Sequence, residues 1–398
     1  MTLRTAVFWL HLATGLTAGT VILVMSVTGV LLAFEPQLVE RAERDLWRAA
    51  PPTADAPRLP LAALVAGAQA SAGSGRATTV SLRPDPRSSV RVGFGRDGSV
   101  FMDPYTGAVI GPGSGTHDVL HAIEDWHRWL GSRDLGRPIT GACNLAFLGL
   151  AMSGFYLWWP RAWSRAVTAL DVRLRGRARD FNWHNAIGFW FAPILVVLTL
   201  TGAVMSYQWA NDLLYRLTGN EPPPAAGAAG ARAARPAVGA PRPEGERRRA
   251  GGEGKPLDLD ALYARAAAQT EGWVTLTLRL PQRPGGPVTA FIQEPPSWHP
   301  SPRSVLTLDG ATAEVVRWEP FAAASTGRKL RLLARVLHTG EVGGVVGQLI
   351  AGLASAGGSV LVYTGVALAW RRYRTWSVRG RRVASGPERT DTGIASTS

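Results

Sequence analysis

Four long runs of apolar residues divide the chain and set its predicted architecture. Each run is free of charged side chains over about the 20 residues that an α-helix needs to cross the hydrocarbon core of a bilayer. The runs are Ala6–Phe34, Ile139–Trp159, Asn185–Ala210 and Val342–Trp370. We therefore expect an integral membrane protein, mainly α-helical, with four transmembrane helices. The first is expected to be an uncleaved anchor because no A-x-A-like cleavage site closely follows it.

The two long segments between the spans change from apolar runs to shorter, alternating patterns. In the first segment a helix is predicted at Leu59–Ala72, and strands at 78–82, Ser89–Phe94 and Ser99–Met102. In the second, a helix is predicted at Asp258–Gln269, and strands at Trp273–Arg279, Val288–Gln293 and Ser304–Leu308. Alternation bounded by turn residues is typical of strands, so each segment is predicted to be an α+β domain. The stretch Glu221–Lys255, rich in Ala, Gly, Pro and Arg, is expected to be a disordered linker.

Arginine sets the predicted orientation. The loop 161–183 and the tail 371–398 are rich in arginine, and short basic segments beside span ends stay in the cytoplasm. With spans at 1–34, 139–160, 184–210 and 342–370, both termini are then cytoplasmic, and segments 35–138 and 211–341 are external. The arginines that set this orientation supply much of the net charge of +14. A nucleic-acid partner is therefore not needed to explain the charge and is not expected.

Histidine and glycine recur at equal offsets in alternate spans. His11 and His184 are each followed by glycine four residues later and by a Thr–Gly dipeptide at the seventeenth and eighteenth positions. His127 and His338 are each followed by Gly, Ile and Gly at offsets 9, 12 and 14, and by Ser–Gly or Thr–Gly at 26 and 27. Both registers hold without a gap. They indicate a tandem repeat in which corresponding spans run parallel.

The recurring histidines form two predicted pairs, one on each side of the membrane. Zinc normally takes three or four protein ligands, whereas a b-type haem takes two axial imidazoles without covalent attachment. The single cysteine, Cys143, excludes a C-x-x-C-H attachment site. Close helix packing would explain the glycines alone, but the histidines favour two haems b per chain, with the haem iron bound by His11 with His184 and by His127 with His338.

Other residues are weaker candidates for the same sites. Haem propionates would be met by arginines on the two sides, namely Arg4 and Arg179 inside and Arg128 and Arg335 outside. His121, six residues before His127, is the alternative external ligand. His117 and His299 lie in polar contexts and are predicted to be surface residues.

Several motifs resemble those of the PepSY-associated transmembrane (PepSY-TM) family. In chain order they are "VFMDPYTGAVIG", "WHRWLG", "SGFYLWWPR", "FNWHNAIGFW" and "LHTGEVGGVVGQL". The resemblance covers nearly the whole chain, from His11 to Arg372. It implies an inner-membrane protein of the iron-regulated, siderophore-reductase type with two PepSY-like periplasmic domains. Its two haems would be carried by the same four histidines that the repeat selects.

The expected function is therefore transmembrane electron transfer by a haem-dependent oxidoreductase. Electrons would pass from a quinol or a cytoplasmic reductase, between which the sequence does not choose, to a periplasmic ferric siderophore or ferric chelate. The alternative is a non-redox membrane-tethered PepSY module that binds a peptide, a peptidase or a signalling partner. A permease is less favoured because the spans contain no carboxylate or broken helix.

Overall fold

The computed structural model describes residues 1–159, 168–223, 258–296 and 302–384, except 54, 74 and 284. Arg161, Arg165, His299 and most of the predicted linker Glu221–Lys255 lie outside the described residues, as does the tail from 385 onward. Within helices, the side chains of 379–384 are also outside the description.

Ten α-helices lie in the described part of the chain. They are α1 (Leu3–Leu32), α2 (Glu35–Glu43), α3 (Leu61–Ala72), α4 (Gly115–Trp129), α5 (Arg133–Trp158), α6 (Gly176–Ser206), α7 (Gln208–Leu217), α8 (Leu259–Ala267), α9 (Thr326–His338) and α10 (Gly344–Ala384). Among the described residues, four helical segments are long and apolar enough to cross a membrane: Leu3–Leu32, Arg133–Trp158, Gly176–Ser206 and Glu341–Val378. The four predicted spans are confirmed in this sense of length and composition.

The helices extend beyond the uncharged runs. For example, α6 begins at Gly176, eight residues before His184. Charged residues such as Arg179 form helices readily, so the backbone hydrogen bonds continue where the apolar run has ended. Large apolar side chains on the spans point outward, including Leu10 (68% exposed) and Trp190 (63% exposed). Such side chains are stable against lipid tails, which are as apolar as they are.

Eight short strands form one antiparallel sheet. They are β1 (Thr79–Leu82), β2 (Val90–Gly93), β3 (Ser99–Met102), β4 (Val109–Pro112), β5 (Thr275–Arg279), β6 (Val288–Gln293), β7 (Arg303–Leu308) and β8 (Val315–Glu319), in the order β4-β3-β2-β1-β5-β6-β7-β8. The strands predicted in the segments 35–138 and 211–341 are confirmed. Side chains alternate between buried and partly exposed along β5 and β6, and one core of apolar residues lies between the sheet and helices α3 and α8.

The segments 35–138 and 211–341 join through β1 and β5, and the alternating pattern within each segment does not indicate this pairing. Val80 lies opposite Leu278, and Ser81 lies opposite Thr277. The hydroxyl oxygens of Ser81 and Thr277 are 2.9 Å apart, within hydrogen-bond distance. Each segment therefore contributes four strands to a shared sheet and a shared core.

The same turn follows β3 and β7. The Oδ1 of Asp103 accepts hydrogen bonds from the backbone N–H groups two and three residues later, at 2.8 and 3.2 Å. Asp309 accepts the equivalent two bonds at 2.9 and 3.1 Å. Each turn places one residue in the left-handed region, Gly107 at φ +70° and Ala313 at φ +56°. Glycine adopts this conformation without strain, and alanine does not.

The described residues divide into two compact units. A helical unit comprises those of Met1–Val30, Trp126–Ala203 and Ile350–Ser398, and a sheet unit comprises those of Leu31–Asp125 and Val204–Leu349. Most of the predicted site residues belong to the helical unit, where the four apolar segments have most of their length.

Candidate functional site

His11 and His184 face each other inside the helical unit. His11 lies on α1 and His184 lies on α6, and both are partly buried. Their ring centroids are 6.4 Å apart, and the ring planes are nearly perpendicular at 85°. These two residues are far apart in sequence, and the structure brings them together as the repeat predicts for the cytoplasmic-side pair.

Each of these two rings makes an equivalent contact with one further helix, α5 for His11 and α10 for His184. The Nδ1 of His11 is 2.9 Å from the Oγ of Ser153 on α5. The Nδ1 of His184 is 2.9 Å from the Oγ1 of Thr364 on α10. Because Nδ1 is engaged in both rings, Nε2 is the nitrogen left for a metal.

A glycine follows each hydroxyl residue and lies against the same ring. A Cβ placed on Gly154 would be 3.3 Å from the Cε1 of His11, and a Cβ placed on Gly365 would be 3.4 Å from the Cε1 of His184. The first distance is shorter than an ordinary carbon–carbon contact, and the second is at its lower limit. A larger residue at position 154 would therefore displace the imidazole of His11, and one at position 365 would bring its Cβ directly against the imidazole of His184.

His127 has the same surroundings. Its Nδ1 is 2.9 Å from the Oγ1 of Thr28 on α1, and a Cβ on Gly29 would be 3.4 Å from its Cε1. The rival ligand His121 is exposed, and its ring lies 6.4 Å from that of His117 on the same helix. The local environment therefore favours His127, and not His121, as the counterpart of His11 and His184.

His338 is the last residue of α9 and is partly buried. It belongs to the sheet unit, whereas His127 belongs to the helical unit. The pairing of His127 with His338 stays a prediction from the sequence offsets.

A cluster of charges surrounds Glu35 at the start of α2. Burial raises the pKa of Glu35, and the neighbouring Glu124 raises it further. Arg335 and His121 act in the opposite direction, and Glu341 adds to the increase. Arg335, predicted to meet a propionate, is thus close enough to interact with a carboxylate of the chain itself.

The other three predicted arginines also contact protein groups. The Nη2 of Arg4 donates to the Leu157 carbonyl at 2.7 Å, and the Arg128 guanidinium lies 4.3 Å from the Trp129 ring centroid. Arg179 donates two hydrogen bonds to Asp180 Oδ1, at 3.0 and 2.8 Å. Their roles toward a propionate stay predictions.

Asp180 is a functional candidate that the repeat did not select. It is fully buried, one helical turn before His184. Besides its bonds from Arg179, it has an ion pair with Arg371 at 3.2 Å that lacks hydrogen-bond geometry. In the sequence, Asp180 is a carboxylate that lies among arginines. Charged residues in such a stretch are ordinarily exposed to solvent, so the sequence did not single it out.

Three stacked aromatic rings form a second feature that the sequence did not predict. Trp158 and Phe189 stack with centroids 4.2 Å apart and planes 18° apart. Phe155 lies nearly parallel to Phe189 at 6.4 Å. The motif "SGFYLWWPR" contains two of these rings, but only the packing of α5 against α6 brings them to the third.

The His11–His184 pair fits a haem better than a conventional metal site. Among the residues that the structure describes, no three His, Cys, Asp or Glu side chains are grouped so as to hold a metal ion. With metal–nitrogen distances of about 2 Å and a ring radius of about 1 Å, imidazoles on opposite sides of one iron have centroids about 6 Å apart. The observed 6.4 Å agrees with that arrangement.

The sequence model of the family described as "PepSY-associated TM region" (PepSY_TM) matches residues 8–372. No curated protein matches the chain. The matched range includes all four recurring histidines and the eight strands of the sheet.

Proposed function

Because the chain belongs to the PepSY-associated TM region family, we propose that it is a b-type haem protein of a bacterial inner membrane that delivers electrons to a ferric acceptor. The observation that carries this proposal is the separation of 6.4 Å between the rings of His11 and His184. Two imidazoles at this distance within apolar spans would suit the binding of one haem.

The residues of the inner site have distinct roles. His11 and His184 would bind iron through Nε2, since their Nδ1 atoms are engaged by hydroxyl groups. When bound, haem supplies reversible one-electron exchange between ferric and ferrous iron. The surrounding span residues would exclude water and hold the two imidazoles in place.

A second haem b is proposed at His127 and His338. The support is the repeat of offsets in the sequence, together with the Thr28 contact that gives His127 the same surroundings as His11 and His184. Each chain would then carry two haems, one toward each side of the membrane.

The proposed direction of electron flow is from the cytoplasm to the periplasm. The support is the arginine distribution, which favours cytoplasmic termini and periplasmic positions for the segments 35–138 and 211–341. The acceptor would be a ferric siderophore or another ferric chelate, because reduction to ferrous iron weakens binding by hard oxygen ligands. The electron donor would be a quinol or a separate cytoplasmic reductase.

Haem content and its loss in single variants test the proposal. A pyridine haemochrome assay on the purified protein should give two haems b per chain. His11→Ala and His184→Ala should each remove the same haem, and His127→Ala and His338→Ala should each remove the other. His121→Ala is the matched control and should retain both. Absence of haem after expression with ample haem supply would contradict the proposal and favour a non-redox PepSY module.

Sidedness is tested with a membrane-impermeant ferric chelate. Right-side-out spheroplasts should reduce it, and His338→Ala should stop the reduction while leaving the inner haem in place. Sealed inside-out vesicles should reduce it slowly or not at all. Equal rates in the two preparations would contradict a periplasmic acceptor site.

A further inference from the structure

One contact recurs at three histidines of the helical unit. His11, His184 and His127 each place Nδ1 2.9 Å from the hydroxyl oxygen of a serine or threonine on another helix. In every case that residue is followed by a glycine. The contact is thus a repeated Ser/Thr–Gly arrangement against an imidazole.

The hydroxyl protons are already used within their own helices. Ser153 Oγ donates to the Gly149 carbonyl at 2.6 Å, and Thr364 Oγ1 donates to the Val360 carbonyl at 2.7 Å. A carbonyl oxygen can only accept, and a hydroxyl group has one proton. The hydroxyl oxygen must therefore accept the bond to the histidine, and Nδ1 must be the donor.

A neutral imidazole that donates from Nδ1 has its lone pair on Nε2. That lone pair is what binds a metal, and the partner of the other ring nitrogen decides which tautomer is present. Such outer partners also set the orientation of the ring and the basicity of the ligand. A hydroxyl oxygen is an uncharged acceptor, so the ligand stays a neutral imidazole.

We propose that Ser153 and Thr364 are positioning residues that hold His11 and His184 as Nδ1–H tautomers with Nε2 directed to the haem iron. This inference rests on the proposed function, because it assigns a role toward the haem of the inner site. The same geometry assigns Thr28 the equivalent role toward His127.

The first test measures haem affinity by titrating haem into apo-protein. Ser153→Ala and Thr364→Val should each weaken binding by about tenfold to a hundredfold, the usual effect of removing such a partner. Ser153→Thr and Thr364→Ser keep the hydroxyl and should restore near wild-type affinity. Thr17→Val is the matched control, since the Thr17 hydroxyl bonds to carbonyls of its own helix. Equal affinity in Thr364→Val and Thr17→Val would overturn the proposal.

The second measurement is the midpoint potential of the inner haem. Loss of the acceptor makes the imidazole a weaker electron donor, so the potential should rise in Ser153→Ala and return in Ser153→Thr. A purely structural role would lower the haem content without this directed and reversible shift. An unchanged potential in Ser153→Ala would contradict the assigned role.

The third measurement needs no haem. In apo-protein labelled with ¹⁵N-histidine, nitrogen chemical shifts should report the Nδ1–H tautomer for His11 and His184. Ser153→Ala should move His11 toward the Nε2–H form. If the wild-type rings are already Nε2–H, the inference fails even where haem binds. If the wild type shows the Nδ1–H form and binds no haem, the proposed function fails, and with it the role toward iron.

Discussion

Gly154→Ala should weaken haem binding by the inner histidine pair while leaving the protein folded. The added Cβ would lie 3.3 Å from the Cε1 of His11, where carbon atoms ordinarily stay about 3.5–4.0 Å apart. The ring must therefore move by a few tenths of an ångström. Metal–ligand distances are held within about 0.2 Å, so the displacement is comparable with the tolerance of the iron–nitrogen bond.

We expect about a tenfold loss of affinity, equivalent to about 1.4 kcal/mol. Alanine is favoured over glycine inside a helix by about 1 kcal/mol, so a general loss of stability is not expected. An unchanged or increased thermal stability of Gly154→Ala would therefore show that haem is lost through displacement of the ligand. Unfolding would also reduce the haem content, but it would lower the stability.

The matched control is Gly149→Ala, five residues earlier on the same helix. Apart from the neighbouring backbone of the same helix, no atom of the described residues lies within 4 Å of a Cβ built at Gly149, so this variant should bind haem like the wild type. The assay is titration of haem into apo-protein, with thermal unfolding of both variants in the same detergent. If Gly154→Ala and Gly149→Ala bind haem equally tightly, the steric reasoning about His11 is refuted.

Two further predictions concern the sheet unit. Because burial raises the pKa of Glu35 above its ordinary 4.5, ionisation costs more in the folded state. Glu35→Gln should therefore raise the thermal midpoint at pH 7. The gain should shrink as the pH falls through the raised pKa of the folded protein, and it should disappear below the ordinary pKa of 4.5; a gain larger at pH 4 than at pH 7 would contradict the sign. Gly107→Ala should lower the midpoint because a left-handed alanine costs about 1–2 kcal/mol, while Ala313→Gly should raise it, partly offset by the unfolded-state entropy of glycine; shifts of the same sign would contradict the turn assignment.

The spans and strands could be predicted because each is a property of consecutive residues. An apolar run, or an alternation of apolar and polar residues, can be recognised within a single segment of the sequence. The long apolar helices and the strands both appear where the sequence predicts them. The amphipathic helices α2, α4, α7 and α9 were not predicted. α2 and α7 span only 9 and 10 residues, which is shorter than the window of about 11–18 residues in which a helical period is recognised. α4 and α9, at 15 and 13 residues, lie within that window.

The contacts between helices could be predicted only in part. The repeat indicated that His11 and His184 form a pair, since equal offsets imply equal depth. It also marked Thr28 and Ser153, but it could not say which histidine each hydroxyl would meet. Thr28 follows His11 on α1 and yet contacts His127. The hydroxyl residue that a histidine contacts depends on how the helices pack, and the sequence of one helix does not determine that packing.

The pairing of β1 with β5 has a consequence for the origin of the chain. The strands read "TVSL" from residue 79 and "TLTL" from residue 275, and their central residues, Ser81 and Thr277, lie opposite each other. In this register a strand pairs with its own counterpart about a local two-fold axis. If duplication produced the two halves, an ancestral half-length protein could have closed the same sheet as a symmetric homodimer, with the identical edge from each subunit. Fusion of the two genes would then have turned an intermolecular interface into the interior of one chain, leaving each half free to diverge.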